Sequence, residues 1–467
     1  MSTERKRLAP HCAFRLINQA HTDDQAALSV IVQAIADRTV ATGHFGSAIM
    51  AAATLPRFDH FFTFDARDPA ATFAPRPAWL FPEDPPLDTL VVSVDERRDN
   101  AYAERLYLSL PDAAMVRLAA DTLLWLAGDQ RTEPPSAALV ASLEQAGCLS
   151  PTEERAPAAV VGAGIHRLQH ASLLYAHGGR SVLIDPVLHT IGYGGGADDW
   201  PLLQAARHCS AILISHSHGD HFEPSSLAFF PRHIPVVVPW VAQTNILTPS
   251  FVAPLRAMGF TTIIEARWWE TALRLGDMTV TALPFYGEQP RSRGGMRDPR
   301  LRNIGNTYLI ETPVDRSWFV VDTGNEVAGN MKDVATRVLR QFGPVDHVAS
   351  NLAEFHARMP TYITGSGTYW ACLTNSDAEN FADLKSECLT LGPSGVADLI
   401  AACAGRRFIP YADWWGEINH PSKNQAALIS QLRDCLAAMQ VDCDIAEINI
   451  GSAVPFGRAV IADGTAA

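Results

Sequence analysis

From about residue 157 onward the chain is a succession of short apolar runs, each closed by a polar or glycine-rich loop. Ser181-Val-Leu-Ile-Asp, Ala211-Ile-Leu-Ile-Ser, Pro235-Val-Val-Val and Thr262-Ile-Ile-Glu read as strands, as do Met278-Thr-Val-Thr-Ala-Leu, Thr307-Tyr-Leu-Ile and Trp318-Phe-Val-Val-Asp. They are short, rich in β-branched residues and bounded by turn formers. Helical periodicity interrupts them over residues 241–258, 330–341 and 425–439. Strands alternating with helices predict an α/β or α+β layered domain, with sheets covered by helices. Ahead of it, the pattern predicts helices over 24–37, 112–126 and 136–146 and one strand, Thr89-Leu-Val-Val-Ser-Val. Ser150-Pro-Thr-Glu-Glu-Arg-Ala-Pro reads as a linker. The expected organisation is therefore a smaller N-terminal α/β domain over 1–155 and a catalytic domain over 156–467.

The chemistry concentrates after one strand, in Ile214-Ser-His-Ser-His-Gly-Asp-His-Phe-Glu-Pro. In extended chain, residues two apart point the same way, so His216 and His218 can reach one metal ion. Gly219 permits a turn, after which Asp220 and His221 face a second ion. Imidazole and carboxylate are the donor types of such sites.

This loop resembles the H-x-H-x-D-H motif of the metallo-β-lactamase-fold superfamily. The stretches His170-Ala-Ser-Leu-Leu, Leu183-Ile-Asp-Pro and Val320-Val-Asp-Thr-Gly extend the resemblance over roughly 160–420. The resemblance implies an αββα sandwich with a one- or two-metal site at one edge, and a bridging role for Asp322. It also implies that Asp185, at the end of a buried strand, orients the metal loop. Zinc hydrolases of the superfamily place a further histidine between the loop and the bridging aspartate. Here that segment is Leu283-Pro-Phe-Tyr-Gly-Glu-Gln-Pro, and the available donor is Glu288.

The glutamate-for-histidine exchange is similar to the CmlA-type diiron β-hydroxylases of nonribosomal peptide biosynthesis. That resemblance implies His216, His218 and Glu288 at one iron, Asp220, His221 and another histidine at the second, and Asp322 between them. A carboxylate-rich donor set favours iron or manganese over zinc. It further implies hydroxylation at the β-carbon of an aminoacyl group tethered to a carrier domain, with O2 and an external electron donor as co-reactants. An N-terminal homodimer contact is suggested on the same ground. The rival reading is a binuclear zinc or manganese hydrolase of a lactone, thioester or phosphodiester, which needs no electrons.

For the seventh ligand, His356 lies at a suitable distance beyond Asp322, with His347, Asp413 and His420 as alternatives. Tyr286 could face the site or pack, and Trp414 and Trp415 could line a channel. Arg291, Arg293, Arg297, Arg300 and Arg302 crowd twelve positions after Glu288, a candidate docking patch for an acidic carrier protein and its phosphopantetheine phosphate. The patch stands out because the chain as a whole has a net charge of −13, which disfavours nucleic acid and anionic membrane as partners. The eight cysteines are scattered without a C-x-x-C pair, and MSTERKRLAP lacks the apolar stretch of a secretion signal. A cytoplasmic enzyme with reduced thiols is the expectation.

Overall fold

The structure is a computed structural model. It describes residues 6–9, 12–83, 86–95, 102–128, 133–151, 161–187, 206–289, 296–356, 367–381, 388–412 and 425–456. In chain order, the N-terminal part supplies β1 (Cys12–Ile17), α1 (Gln19–Thr42), β2 (Thr89–Asp95), β3 (Tyr102–Ser109) and α2 (Ala113–Ala127). Then come β4 (Gly164–Gln169), β5 (Ser172–His177), β6 (Arg180–Ile184), β7 (Ala211–Leu213), β8 (Val236–Pro239) and β9 (Ile263–Ala266). The second half runs β10 (Thr271–Leu275), β11 (Met278–Pro284), β12 (Asn306–Glu311), β13 (Arg316–Val321), α3 (Met331–Phe342), β14 (His347–Ser350) and α4 (Thr368–Cys372). It closes with α5 (Gly392–Cys403), β15 (Arg407–Pro410), α6 (Gln425–Ala438), β16 (Asp444–Ile445) and β17 (Ala453–Pro455).

Two seven-stranded sheets face each other, in the orders β9-β8-β7-β6-β5-β4-β17 and β10-β11-β12-β13-β14-β15-β16. Between them lies an apolar layer that includes Leu173, Ile184, Leu213 and Val237 from the first sheet and Val280, Tyr308, Phe319 and Ile409 from the second. The strands read as continuous apolar runs because both faces of each sheet are covered. Helices α3, α5 and α6 bury Val334, Val338, Leu399, Ile400 and Leu432 on the outer face of the second sheet. Helix α3 starts where Asn330 accepts from the amide of Asp333, one residue inside the stretch its periodicity predicts.

Among the described residues, the apolar clusters of the N-terminal region also include residues of the catalytic half. Phe14, Leu16, Leu90, Val92 and the α2 residues Val116, Leu123 and Leu126 pack with Ile212, Ile214, Val236 and Val238, so they form the outer layer of the first sheet. Leu28, Val32, Phe45, Phe62 and Trp79 pack instead with Leu301, Tyr369, Trp370 and Leu389 of the catalytic half. The predicted 155/156 boundary therefore divides the sequence but not the packing. The helix expected over 241–258 shrinks to Val252–Ala257. Ahead of it, Asn245 accepts from the amides of Leu247 and Thr248, a side-chain turn that competes with helix, and Pro249 follows.

Candidate metal centre

The site forms at one end of the sandwich, where β6, β7, β11 and β13 stop and their following loops meet. Asp185 directly follows β6 and is fully buried. Its Oδ1 accepts from the Ser215 amide at 2.7 Å, and its Oδ2 accepts from the Ser215 hydroxyl at 2.5 Å and meets His221 Nδ1 at 2.9 Å. The Ser215 hydroxyl also lies 2.9 Å from His216 Nδ1. One carboxylate thus contacts both the start of the loop and the imidazole at its end. The turn closes through the amides of His221 and Phe222, which both donate to the His218 carbonyl. Gly219 is not what makes it possible, since a Cβ there would meet nothing within 4 Å and its φ is outside the left-handed region.

Glu288 and Asp322 are brought together by close backbone crossings. The Gly324 amide donates to Tyr286 O at 2.6 Å and the Glu288 amide to Leu389 O at 2.8 Å. A Cβ on Gly287 would lie 2.1 Å from the Gly324 nitrogen, and one on Gly324 would lie 2.2 Å from the Leu389 carbonyl oxygen. Glycine at both positions is what lets the two carboxylate loops touch.

Three groups of ligand-type atoms result, each with its atoms within 4.8 Å of one another: His216, His218 and Glu288; His216, His221 and Asp322; and His170, Asp220 and His221. Glu288 Oε2 lies 2.7 Å from His218 Nδ1 and 3.0 Å from His216 Nε2. Asp322 Oδ2 lies 2.7 Å from His221 Nε2, and Asp220 Oδ2 lies 3.1 Å from His170 Nε2. His216 is sandwiched, its ring stacked on Phe285 at 4.8 Å and 4.2 Å from that of His221.

Electrostatically the cluster is an alternating lattice. Burial raises the Glu288 carboxyl, but the neighbouring His218 and His216 outweigh it and bring it down to about 2. Burial likewise opposes ionisation of Asp220, yet His221 and His170 hold it well below the carboxylate range. Burial disfavours a charged His221, and Asp220, Asp322 and Asp185 overcome it, so this imidazole is held well above its ordinary value. His218 is raised in the same way by Glu288, whereas burial lowers His216 and His170. In the metal-free protein, protons supply the positive charge that the carboxylates demand.

The residues fit a bound metal pair by a second observation. Nε2 of His216, Oε2 of Glu288 and Oδ1 of Asp322 are buried and make no hydrogen bond, although Nε2 and Oε2 stand 3.0 Å apart. Buried polar atoms that converge without bonding one another mark the place of an ion. Backbone strain gathers there too: His170, Asp185, Glu288, Val321 and Ala412 have φ of 38°, 43°, 51°, 62° and 61°. For β-branched Val321, the residue before Asp322, that conformation is a genuine outlier, and such strain concentrates at functional sites.

His216, His218, Asp220, His221, Glu288 and Asp322 therefore converge. His356 does not join them: it pairs in an isolated bridge with Cys388, with Nε2 3.5 Å from Glu354. His347 opens β14 at the far end of the sandwich and bonds Asp315 at 2.7 Å. Asp413, His420, Trp414 and Trp415 lie outside the described residues. The histidine that does face Asp220 is His170, which sequence reasoning placed only in a strand pair. Its signal was a polar residue at a tight turn between two buried strands. Tyr286 packs, its ring on Trp268 at 5.4 Å and lying where a Cβ on Gly329 would fall.

The arginine patch divides. Arg291 and Arg293 lie outside the described residues. Arg297 donates to the carbonyls of Phe73 and Leu373 and to Asn375, tying the N-terminal region to α4. Arg302 bonds Glu326 at 2.6 Å in a part-buried pair. Both guanidinium groups are engaged inside the molecule, which corrects the docking role expected of them. Arg300 alone of the described three is largely exposed, beside Asp298 and over the Phe81 ring.

Residues 180–410 match the model of a "Beta-lactamase superfamily domain", and the double sandwich with its edge site is the metallo-β-lactamase fold. The chain is 32% identical over 181 residues to the 4-amino-L-phenylalanyl-[CmlP-peptidyl-carrier-protein] 3-hydroxylase of Streptomyces venezuelae. That match covers 38% of this chain and 32% of the relative, so it spans about a third of the relative's length. Across 97% of this chain and 100% of theirs, the fold also matches the diiron β-hydroxylase CmlA of Streptomyces venezuelae (TM-score 0.58, 18% identity) and a CmlA variant (0.60, 17%). Among the described residues no helix is long and apolar enough to cross a membrane.

Proposed function

We propose that this protein is a non-haem diiron oxygenase that hydroxylates the β-carbon of an aminoacyl group held on a nonribosomal peptide synthetase carrier domain. The observation that carries the reading is Glu288, whose Oε2 faces both His216 and His218 where a zinc hydrolase would present a third imidazole. The relative that acts on a carrier-bound aminoacyl substrate supports the substrate class.

His216, His218 and Glu288 would hold one iron, Asp220, His221 and His170 the other, and Asp322 would bridge them. The iron pair supplies the capacity to reduce O2, so that R–CH2–R′ with O2, two electrons and two protons becomes R–CH(OH)–R′ and water. The electrons come from a separate donor protein. Glu288, Asp322 and Asp220 would present three carboxylates to the pair, a hard oxygen donor set that would favour iron or manganese over zinc. Asp185 keeps His221 in one orientation by accepting at Nδ1, leaving Nε2 for the metal side. Phe285, fully buried and stacked on His216, covers one flank of that imidazole.

The test is direct. Protein supplied with iron, O2, a reductase system and aminoacyl-loaded carrier should add one oxygen atom to the phosphopantetheine-bound product, read by mass spectrometry. Zinc-loaded protein that instead releases the amino acid without reductant contradicts the proposal.

A further inference from the structure

At the ends of three neighbouring strands of the second sheet stand Asp322, Asn351 and Tyr411. They are aligned by the parallel pairing of β13, β14 and β15, in which Val321 is opposite Ser350 and Ser350 opposite Pro410. The row is tied by backbone: the Asn351 amide donates to Val321 O at 3.0 Å, and the Tyr411 amide to Ser350 O at 3.1 Å. Side chains alternate faces along a strand, so Asn351 shares a face with Ala349, and Tyr411 with Ile409. Ala349, Ile409 and Tyr411 all belong to the layer between the sheets, and the Tyr411 phenol is close enough to Asp185 and Asp322 to feel their charges.

Both residues carry a donor with nothing to donate to. Asn351 is 2% exposed; its Oδ1 accepts from the Ala353 amide at 2.7 Å, which leaves Nδ2 buried and unbonded. Tyr411 is fully buried and its hydroxyl has no partner. Burial first, then the charges of Asp185 and Asp322, hold that phenol well above its ordinary range, so it remains a neutral donor. A buried, unbonded hydroxyl is costly to leave unpaired, and a partner arriving from outside would relieve that cost.

We infer that the Asn351 carboxamide and the Tyr411 hydroxyl form a donor pair for a small anionic oxygen or nitrogen ligand seated beside Asp322 in the metal centre. They stand at strand ends beside Asp322 and offer two hydrogen-bond donors in addition to the seven protein ligands proposed above. The inference rests on the ligand groups holding metal, as proposed above. It makes Asn351 and Tyr411 positioning residues for the anion.

The experiment uses the iron-loaded full chain and azide as the probe, followed by the charge-transfer absorption of the ferric centre. Iron content is measured first in each sample. Tyr411→Phe should load the same iron as wild type and bind azide at least about tenfold more weakly, the scale of one hydrogen bond to an anion. Asn351→Ala should weaken azide similarly. The metal-free proteins give a second readout. Because the hydroxyl is unbonded, Tyr411→Phe should leave Tm unchanged or raise it by a few degrees. A Tm lowered by the substitution, or azide affinity within twofold of wild type at equal iron content, overturns the inference alone. Wild-type protein that binds no metal overturns the metal reading and this inference with it.

Discussion

The two ends of the sandwich both bury histidine and aspartate, and they treat them in opposite ways. At the far end, Asp315 bonds His347 Nδ1 at 2.7 Å, the Tyr175 hydroxyl at 3.0 Å and the Ser317 hydroxyl at 2.6 Å, so its carboxylate joins the two sheets. At the metal end, His216, Glu288, Asp322, Asn351 and Tyr411 each keep a buried polar atom without a hydrogen bond. The left-handed φ values of His170, Asp185, Glu288, Val321 and Ala412 gather at that end as well. Equal burial and similar residue types thus yield a structural clasp in one place and a prepared site in the other. What separates them is whether the polar groups are already satisfied by one another.

The contrast can be broken most strongly at Asp322. Asp322→Ala should cost both ions and reduce hydroxylation by about 10³-fold or more, since groups that act as a unit fail together. Elemental analysis alongside turnover reads this. Asp315→Ala should do the reverse: it strands three bonded groups and lowers stability by about 4 kcal/mol, while metal stoichiometry at low temperature stays as in wild type. Denaturant unfolding with parallel metal analysis checks it, and loss of metal in this variant would erase the distinction between the ends. Asp185→Asn sharpens the picture inside the metal end. The amide can no longer accept from the Ser215 amide, the Ser215 hydroxyl and His221 together, so metal affinity should fall about 10–100-fold with the fold retained, as chelator competition would show.

Smaller effects divide the arginines. Arg297→Ala should cost about 1–3 kcal/mol because its donors hold the N-terminal region to α4. Arg300→Ala should leave the unfolding midpoint close to that of wild type in the same assay. If carrier docking uses this face, its loss of affinity on charge reversal at Arg300 should flatten the salt dependence of binding.

Much of the metal end was legible in the sequence because its chemistry is local. A loop of four ligand types after one apolar strand announces itself, and the Phe-Tyr-Gly-Glu and Asp-Thr-Gly segments carry their glycines where the backbones must cross. His170 was harder to read, since only the folded sheet brings the turn between β4 and β5 against Asp220. Tyr411 and Asn351 gave no signal: a tyrosine and an asparagine at strand ends usually find partners, and that these do not is a property of the packed structure. His356 misled because distance along the chain past Asp322 says nothing of direction. The fold class followed from periodicity, but the domain division did not, because composition changes at the linker while the apolar layers run across it.

Glu288 is the residue proposed to close an oxygen-rich site for iron. Purified protein from cells grown without added metal, assayed for iron, zinc and manganese together with its near-ultraviolet absorption, tests this most directly. Iron approaching two per chain with charge-transfer absorption that is lost in Glu288→Ala is the predicted result. A stoichiometric zinc pair that survives Glu288→Ala would contradict it.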